Sequence, residues 1–202
     1  AGQRRLAATE RAIPHRSRGW VEAVRFSPVI FFIQVSSQKV ATKKLVVFGV
    51  GLIGGSFALA LRSGAKIGHI VGVGRHRANL DHALRLGIID EAATDAEQAL
   101  NGADFVMLAT PVGQMEALFE TIATHLASNA VITDGGSTKQ DVVAYARAKL
   151  AKNFPRFVPG HPIAGTEKSG ATAADAELYR GRKVILTPEP DTDPAAIEAL
   201  AK

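Results

Sequence analysis

The stretch KKLVVFGVGLIGGS, residues 43–56, decides the fold of this 202-residue chain. Its apolar run predicts a β-strand that ends in three glycines, Gly49, Gly51 and Gly54, spaced as G-x-G-x-x-G. In such a loop the first glycine allows a tight turn, the second lets backbone approach a pyrophosphate, and the third lets a helix pack on the strand. Residues 57–61 continue as an apolar helix. This context predicts a dinucleotide-binding site, rather than a glycine-rich turn of another α/β protein.

The start of that predicted helix completes the phosphate site. Backbone N–H groups at a helix N-terminus bind phosphates, because the helix leaves them without partners and its dipole attracts negative charge. Leu52 and Ile53 occupy this position in the sequence. We therefore expect both residues, together with the three glycines, to contact the cofactor.

The second predicted strand, His69–Val73, ends without the acidic residue that binds the ribose 2′-hydroxyl of NAD. Gly74 stands at that position, and Arg75, His76 and Arg77 follow it. A glycine leaves room for a 2′-phosphate, and the two guanidinium groups can bind it through charge-assisted hydrogen bonds. The sequence therefore predicts NADP as the cofactor. NAD is the alternative if the arginines belong only to a solvated loop.

Length and composition narrow the class of protein. A chain of 202 residues can form one sizeable core, and its longest apolar run, residues 28–35, is too short to cross a bilayer. The chain has no cysteine, which excludes disulfides and thiolate sites and is consistent with a reducing compartment. We therefore expect a cytoplasmic protein with no membrane partner and no metal.

The basic charge is concentrated at the N-terminus. Residues 1–44 carry nine Lys or Arg and two acidic residues, a net charge of +7, whereas the whole chain has +5, which leaves −2 for the remainder. The slightly acidic remainder argues against a nucleic-acid partner. We expect residues 1–42 to form a poorly ordered basic leader, with a signal peptide as the alternative.

From residue 43 onward, strand and helix patterns alternate. This alternation predicts an α/β fold, a Rossmann-like, doubly wound and mainly parallel sheet over residues 43–190. The predicted helices cover residues 53–62, 78–86, 96–100, 113–125 and 138–150, and the predicted strands cover 46–48, 69–73, 105–109, 130–133, 157–158 and 184–186. A last helix is predicted to begin after Pro194, and the given sequence ends within it at Lys202.

Two segments that follow predicted strands carry candidate site residues, because ligands bind at the carboxyl ends of parallel strands. Thr110 and Pro111 follow one strand and can line the nicotinamide ribose, although a simple strand-to-helix turn is the alternative. Ser137 follows the next strand in DGGSTK, residues 134–139, and offers a hydroxyl group. Its alternative is a capping box with Gln140, which would satisfy helix amides without any ligand.

The third segment, PGHPIAGTEKSG at residues 159–170, contains the densest group of chemically useful side chains. His161 lies between glycine and proline in a predicted polar loop, and Glu167 and Lys168 follow it closely. A histidine can accept the proton of a hydroxyl group whose carbon loses hydride to a nicotinamide. We therefore expect His161 to be catalytic.

Several motifs resemble those of the prephenate dehydrogenase family, which includes arogenate and cyclohexadienyl dehydrogenases: GVGLIGGSFALAL, LGIIDE, ATPV, GSTK, GHPIAGTEKSG and LYRGRKVILTP. The resemblance covers residues 43–188. It implies an oxidative decarboxylation of prephenate or arogenate to 4-hydroxyphenylpyruvate or tyrosine, in tyrosine biosynthesis. It also implies that His161 is the base, that Ser137 assists either His161 or the substrate hydroxyl, and that Glu167 has a gating or electrostatic role near the substrate side chain.

The resemblance further implies a partner domain. Members of the family carry a helical C-terminal domain that forms a homodimer and closes the cleft over a small-molecule substrate, and this sequence ends at Lys202 without it. We therefore expect the chain to hold the cofactor domain and half of the substrate pocket, with residues 191–202 as the start of the linker to the helical domain. The alternatives are another Rossmann oxidoreductase, such as a 3-hydroxyacid dehydrogenase or an imine reductase, and a noncatalytic NADP-binding module. The GHPIAGTEKSG motif argues against the other oxidoreductases.

Overall fold

The computed structural model describes Val29–Phe31, residues 43–126 and residues 129–201. Its strands are β1 (Val29–Phe31), β2 (Lys44–Phe48), β3 (His69–Val73), β4 (Glu91–Ala93), β5 (Phe105–Leu108), β6 (Val131–Asp134), β7 (Phe157–Val158), β8 (Gly160–Pro162) and β9 (Val184–Leu186). Its α-helices are α1 (Leu52–Ser63), α2 (Arg77–Arg85), α3 (Ala96–Leu100), α4 (Met115–His125), α5 (Lys139–Leu150) and α6 (Pro194–Ala201). Short 3-10 helices cover Val112–Gln114, Ala151–Arg156 and Ala171–Ala173. Each element predicted from the sequence lies within two residues of its expected bounds, whereas β1, β4 and β8 are additional.

Strands β2 to β7 form one parallel sheet in the order β4-β3-β2-β5-β6-β7. Counted within this sheet, the order is 3-2-1-4-5-6, which defines the Rossmann fold and confirms the predicted fold class. The direction of winding reverses between β2 and β5, where Phe48 pairs with both Val73 and Leu108. Ligands of such sheets bind at this reversal, outside the carboxyl ends of the strands.

Two apolar layers cover the two faces of the parallel sheet. Side chains alternate along a strand, so Val46 and Phe48 of β2 face one layer while Leu45 and Val47 face the other. Helices α3, α4 and α5 contribute to the first layer, and α1 and α2 contribute to the second. The sheet is thus doubly wound, and its buried strands form a rigid base for the loops at its carboxyl edge.

Strands β1, β9 and β8 form a second, antiparallel sheet that the sequence does not predict. The chain passes from the parallel sheet to the antiparallel one at Pro159, between β7 and β8. His161 lies opposite Ile185 of β9. The expected loop position of His161 is therefore wrong: the residue lies on a strand, because the extended GHP segment pairs with β9.

The ends of the chain are described in part. Of the predicted leader, residues 1–42, the structure describes only β1, and the remainder, with the alternative of a signal peptide, lies outside the described residues. Helix α6 packs Ala196 in an apolar cluster with Val131 and Val158. No helix in the described ranges is long and apolar enough to cross a membrane.

Candidate active site

The glycine loop between β2 and α1 has the geometry of a pyrophosphate site. Gly49 has a φ of +92°, a conformation that favours glycine, and a Cβ atom there would lie 2.6 Å from the carbonyl oxygen of Ala109. A Cβ atom on Gly54 would collide with the carbonyl oxygen of Gly49 and lie 2.8 Å from Val47 Cγ1, so α1 packs directly on the loop. Beside Gly51, by contrast, there is open space. A ligand can therefore approach the backbone at Gly51.

The first turn of α1 offers free amide groups to that ligand. Gly51 is the N-cap, and no side chain caps the helix. The first intrahelical hydrogen bond runs from the Gly55 N–H to the Gly51 carbonyl, at 2.8 Å. Leu52 and Ile53, which precede that bond, point their N–H groups along the helix axis toward the loop. An anionic group fits this arrangement, as the sequence predicts.

Thr110 and Pro111 follow β5, beside the glycine loop. The Thr110 Oγ1 atom is buried and has no hydrogen-bond partner among the described residues, whereas Pro111 is exposed. Buried hydroxyl groups in folded proteins are nearly always hydrogen-bonded, so an orphaned one needs an explanation. A polar group of a bound cofactor would supply the missing partner.

The basic segment after β3 offers one unengaged guanidinium group. Arg75 is exposed and has no partner in the described part of the chain. Arg77 donates from Nε to Asp81 Oδ1 at 2.8 Å, across one turn of α2, an ion pair that the sequence analysis did not anticipate. His76 is the exposed N-cap of α2 and forms no capping hydrogen bond with its side chain. Exposed pairs of this spacing contribute only about 0.3–0.5 kcal/mol, so Arg77 can exchange Asp81 for a stronger anion.

Neither packing nor backbone conformation requires a glycine at position 74. A Cβ atom there would lie 3.4 Å from Leu80 Cδ2, an ordinary van der Waals distance, and the backbone of Gly74 is not left-handed. A side chain therefore fits at this position. Packing therefore does not require the absence of a carboxylate here.

Strand β8, which carries His161, lies near the first turn of α1. The imidazole is half-buried and has no hydrogen-bond partner among the described residues. A Cβ atom on Gly135 would lie 2.8 Å from Ile53 Cγ2 and 3.9 Å from Pro162 Cγ, so the first turn of α1 and β8 meet on either side of Gly135. The imidazole is thus free to form a hydrogen bond with a ligand.

Ser137 and Glu167 differ in how near the structure brings them to His161. Ser137 is exposed, and its loop packs beside β8 because Gly135 approaches Pro162. The N-cap of α5 is Thr138, and no side chain caps this helix, so the capping-box alternative for Ser137 is wrong. Glu167 is exposed in the segment after β8, and in the described structure no ion pair or hydrogen bond joins its carboxylate to either residue.

A buried ion pair next to His161 is the main feature that the sequence analysis missed. The Asp134 side chain is 0% exposed at the end of β6 and pairs with Lys139, whose side chain is 18% exposed. Asp134 Oδ1 accepts from the Gly160 N–H at 3.1 Å, and Oδ2 accepts from the Gly136 N–H at 2.8 Å. Lys139 Nζ also donates to the Gly160 carbonyl at 2.6 Å. An acidic residue at the end of an apolar strand, VITD, with a lysine five positions later, was the available signal.

Burial and pairing act in opposite directions on these two groups. Burial raises the pKa of the Asp134 carboxyl, while the Lys139 charge and the hydrogen bonds from Lys139, Gly160 and Gly136 lower it. Burial likewise lowers the pKa of the Lys139 ammonium, and Asp134 raises it. Because both carboxyl oxygens accept hydrogen bonds, the contacts fit an ionised carboxylate.

A second missed feature ties the segment after Glu167 to the glycine loop. Asn79 of α2 donates from Nδ2 to the Val50 carbonyl at 2.8 Å and accepts at Oδ1 from the Ala171 N–H at 3.0 Å. Tyr179 donates its hydroxyl to the Ile53 carbonyl at 2.8 Å, and burial raises the pKa of that hydroxyl. The cofactor loop and the segment that follows His161 therefore form one connected structure.

A parallel sheet of this order, with a glycine loop and a free helix N-terminus at its reversal point, defines a Rossmann-type dinucleotide-binding domain. Residues 57–202 of the chain match the family described as "Prephenate dehydrogenase, nucleotide-binding domain". The chain belongs to this family, and the resemblance seen in its motifs is confirmed.

Similar proteins agree with this assignment. The chain is 40% identical over 157 residues to prephenate dehydrogenase of Bacillus subtilis, over 77% of this chain and 42% of the relative. The structure of Aquifex aeolicus prephenate dehydrogenase in complex with hydroxyphenyl propionate and NAD+ superposes with a TM-score of 0.75 at 38% identity, over 81% of this chain and 56% of that one. Synechocystis arogenate dehydrogenase gives 0.70 at 32% identity, over 78% and 54%. The chain thus spans about half the length of these relatives.

Proposed function

We propose that this chain is the cofactor half of an NADP-dependent enzyme of tyrosine biosynthesis, which oxidatively decarboxylates prephenate, arogenate or both. The observation that carries the proposal is the half-buried, unpartnered imidazole of His161, on a strand that meets the first turn of α1 across Gly135. The strand that carries this base lies beside the first turn of α1, where the glycine loop would hold a dinucleotide. The family relatives named above act on prephenate or arogenate, which supports the substrate class.

In the proposed reaction the protein has two tasks: it holds the substrate ring against the nicotinamide, and it accepts the proton of the ring hydroxyl. When bound, the nicotinamide accepts hydride from the carbinol carbon of the cyclohexadiene ring. His161 accepts the proton of the ring hydroxyl as that C–H bond breaks, and it returns the proton to oxygen after carbon dioxide has left. The electron pair of the broken C–C bond completes the aromatic ring, which supplies the driving force. Ser137 would hydrogen-bond to the hydroxyl or to His161, and Glu167 would lie near the substrate side chain.

An activity assay tests this function. We expect NADPH to form from prephenate, from arogenate or from both, when the enzyme is prepared with the chain extended past Lys202 to the length of its relatives. Oxidation of 3-hydroxyacids instead would favour the other Rossmann oxidoreductases. Tight NADP binding without turnover of any of these compounds would indicate the noncatalytic module.

The preference for NADP over NAD rests on Gly74 and Arg75. Gly74 supplies no carboxylate to repel a 2′-phosphate, although a side chain would fit there, and Arg75 is exposed and unpaired among the described residues. Arg77 and His76 lie beside it, and Arg77 must first release Asp81. The Aquifex aeolicus relative was solved with NAD+, so the proposed preference sets this chain apart from that relative.

Replacing Arg75 by alanine should weaken NADP binding about tenfold, since losing a charge-assisted hydrogen bond costs roughly 1.4 kcal/mol or more. The dissociation constant of NAD should hardly change, because NAD has no 2′-phosphate. Isothermal titration of both cofactors measures the two effects. Arg85→Ala is the matched control, because Arg85 is an exposed arginine at the opposite end of α2. Equal losses for both cofactors, or tighter binding of NAD by the unmodified chain, would contradict the assignment.

We further propose that the complete enzyme is a cytoplasmic homodimer. In this arrangement residues 43–190 form the cofactor domain, residues 191–202 begin the connection to a helical domain, and residues beyond Lys202 complete the substrate pocket. The share of each relative that the chain spans, about half, supports such a division. Light scattering of the extended protein should give twice the mass of one chain, and a monomer would exclude the dimer.

A further inference from the structure

We propose that Asp134 and Lys139 are positioning residues that hold His161 in place relative to the glycine loop, so that its imidazole can accept the proton of the substrate hydroxyl. The inference rests on the proposed function, in which His161 is the base. It starts from the division of the site between two sheets. The glycine loop belongs to the parallel sheet, whereas His161 belongs to the antiparallel one. Pro159 is the covalent connection between β7 and β8, so other contacts must set their relative position.

The ion pair holds both polar groups of the residue that precedes His161. Asp134 accepts from the Gly160 N–H, and Lys139 donates to the Gly160 carbonyl at 2.6 Å. Asp134 ends β6 and Lys139 begins α5, so both partners are anchored in the parallel-sheet layer. The pair therefore joins that layer to the first residue of β8.

Gly160 also packs closely against the end of β6, with no room for a side chain. A Cβ atom on Gly160 would lie 2.9 Å from the Asp134 carbonyl oxygen and 3.1 Å from Thr133 Oγ1. Thr133 Oγ1 itself donates to the Val158 carbonyl at 2.9 Å, on the other side of Pro159. The backbone on both sides of the connection is thus hydrogen-bonded to the end of β6 or to α5.

Stability alone is a weak reason to keep such a pair. Taking two charges out of water is costly, and apolar residues of similar volume are often neutral or stabilising in their place. Apolar residues would, however, leave the Gly160 N–H and carbonyl without these partners. The contacts therefore act through Gly160: they satisfy its backbone groups and fix the place where β8 begins.

The decisive variant removes both charges at once: Asp134→Leu with Lys139→Met. A single substitution would leave the other charge buried and unpaired, whereas the double variant leaves neither. We expect it to fold and to bind NADP with unchanged affinity, and to keep its KM for the substrate. Its kcat should fall about 30- to 100-fold, the loss expected when a catalytic group is displaced by about 1 Å. Lys149→Met is the matched control, because Lys149 lies on the same helix and pairs with Glu116 and Glu120 on the surface.

A second variant and a second measurement keep the inference testable if the double variant does not fold. Gly160→Ala should push β8 away from β6 and lower kcat with KM retained. Hydrogen exchange of the Gly160 amide gives a readout that is independent of turnover. Its protection should be high in the unmodified chain and lost in the double variant, while amides of β2 stay protected.

The outcomes separate the two proposals. If the unmodified enzyme oxidises neither prephenate nor arogenate, the proposed function fails, and amide exchange still reports on the positioning contacts. If a folded double variant keeps kcat within about threefold, less than any displacement effect of this kind, the positioning role is wrong. Unchanged protection of the Gly160 amide would overturn it equally. A fall in kcat that is matched by lost NADP binding would indicate a general disturbance and would also contradict the inference.

Discussion

Replacing His161 by asparagine should lower kcat for prephenate oxidation about a hundredfold or more, a loss of roughly 2.7 kcal/mol in transition-state stabilisation. Asparagine can still hydrogen-bond to the substrate hydroxyl, but it cannot accept the proton as hydride leaves. The backbone should not change, because the position is only half-buried and its side chain has no hydrogen-bond partner in the described ranges. The KM for substrate and the affinity for cofactor should therefore stay close to those of the unmodified enzyme.

The separate responses of kcat and KM distinguish a base from a simple binding group. Loss of a base should lower kcat and leave KM unchanged, whereas loss of a binding group should raise KM. His125→Asn is the control, since His125 ends α4 beside Glu97, with 3.6 Å between Nδ1 and Oε1. A loss of less than about tenfold in kcat at His161 would rule out the base role, because general bases contribute at least about a hundredfold.

Much of the fold follows from patterns that are local in the sequence. The glycine spacing at Gly49, Gly51 and Gly54 predicts the β2–loop–α1 unit, and the alternation of apolar runs predicts the parallel sheet. On α4, Met115 and Phe119 follow a helical apolar spacing, and both are buried in the core. Each of these patterns is read from residues that are close together in the sequence. The sequence alone is therefore enough to predict them.

The missed features depend on residues that are distant in sequence or on weak local signals. Strand β8 forms because Gly160–Pro162 pairs with β9, which lies more than twenty residues later in the chain. The three residues GHP alone do not indicate a strand. The Asp134 contacts with Lys139 and Gly160 appear only once β6 and β8 are side by side. The Arg77 ion pair with Asp81 is the exception, since its i,i+4 spacing on a helix was visible in the sequence.

Replacing Gly54 by alanine should destabilise the domain by about 3 kcal/mol, because the added methyl group overpacks a tightly packed site. Helix propensity favours alanine over glycine by only about 1 kcal/mol, which is too little to compensate. The new Cβ would collide with the Gly49 carbonyl oxygen and lie 2.9 Å from Ala109 Cβ. Since the first of these atoms is backbone, the glycine loop itself must shift. Chemical denaturation measures the loss, and cofactor titration should show weaker binding by the shifted loop.

The comparison with Gly51→Ala separates packing from ligand approach. No described atom lies within 4 Å of a Cβ on Gly51, and its backbone φ of −121° suits any residue. This variant should therefore keep the free energy of unfolding while its methyl group intrudes on the space that a pyrophosphate would use. If Gly54→Ala proved as stable as the unmodified chain, the close packing of α1 on the loop would be wrong. If Gly51→Ala bound cofactor with normal affinity, the pyrophosphate could not occupy the open space beside Gly51 and would have to contact the loop elsewhere.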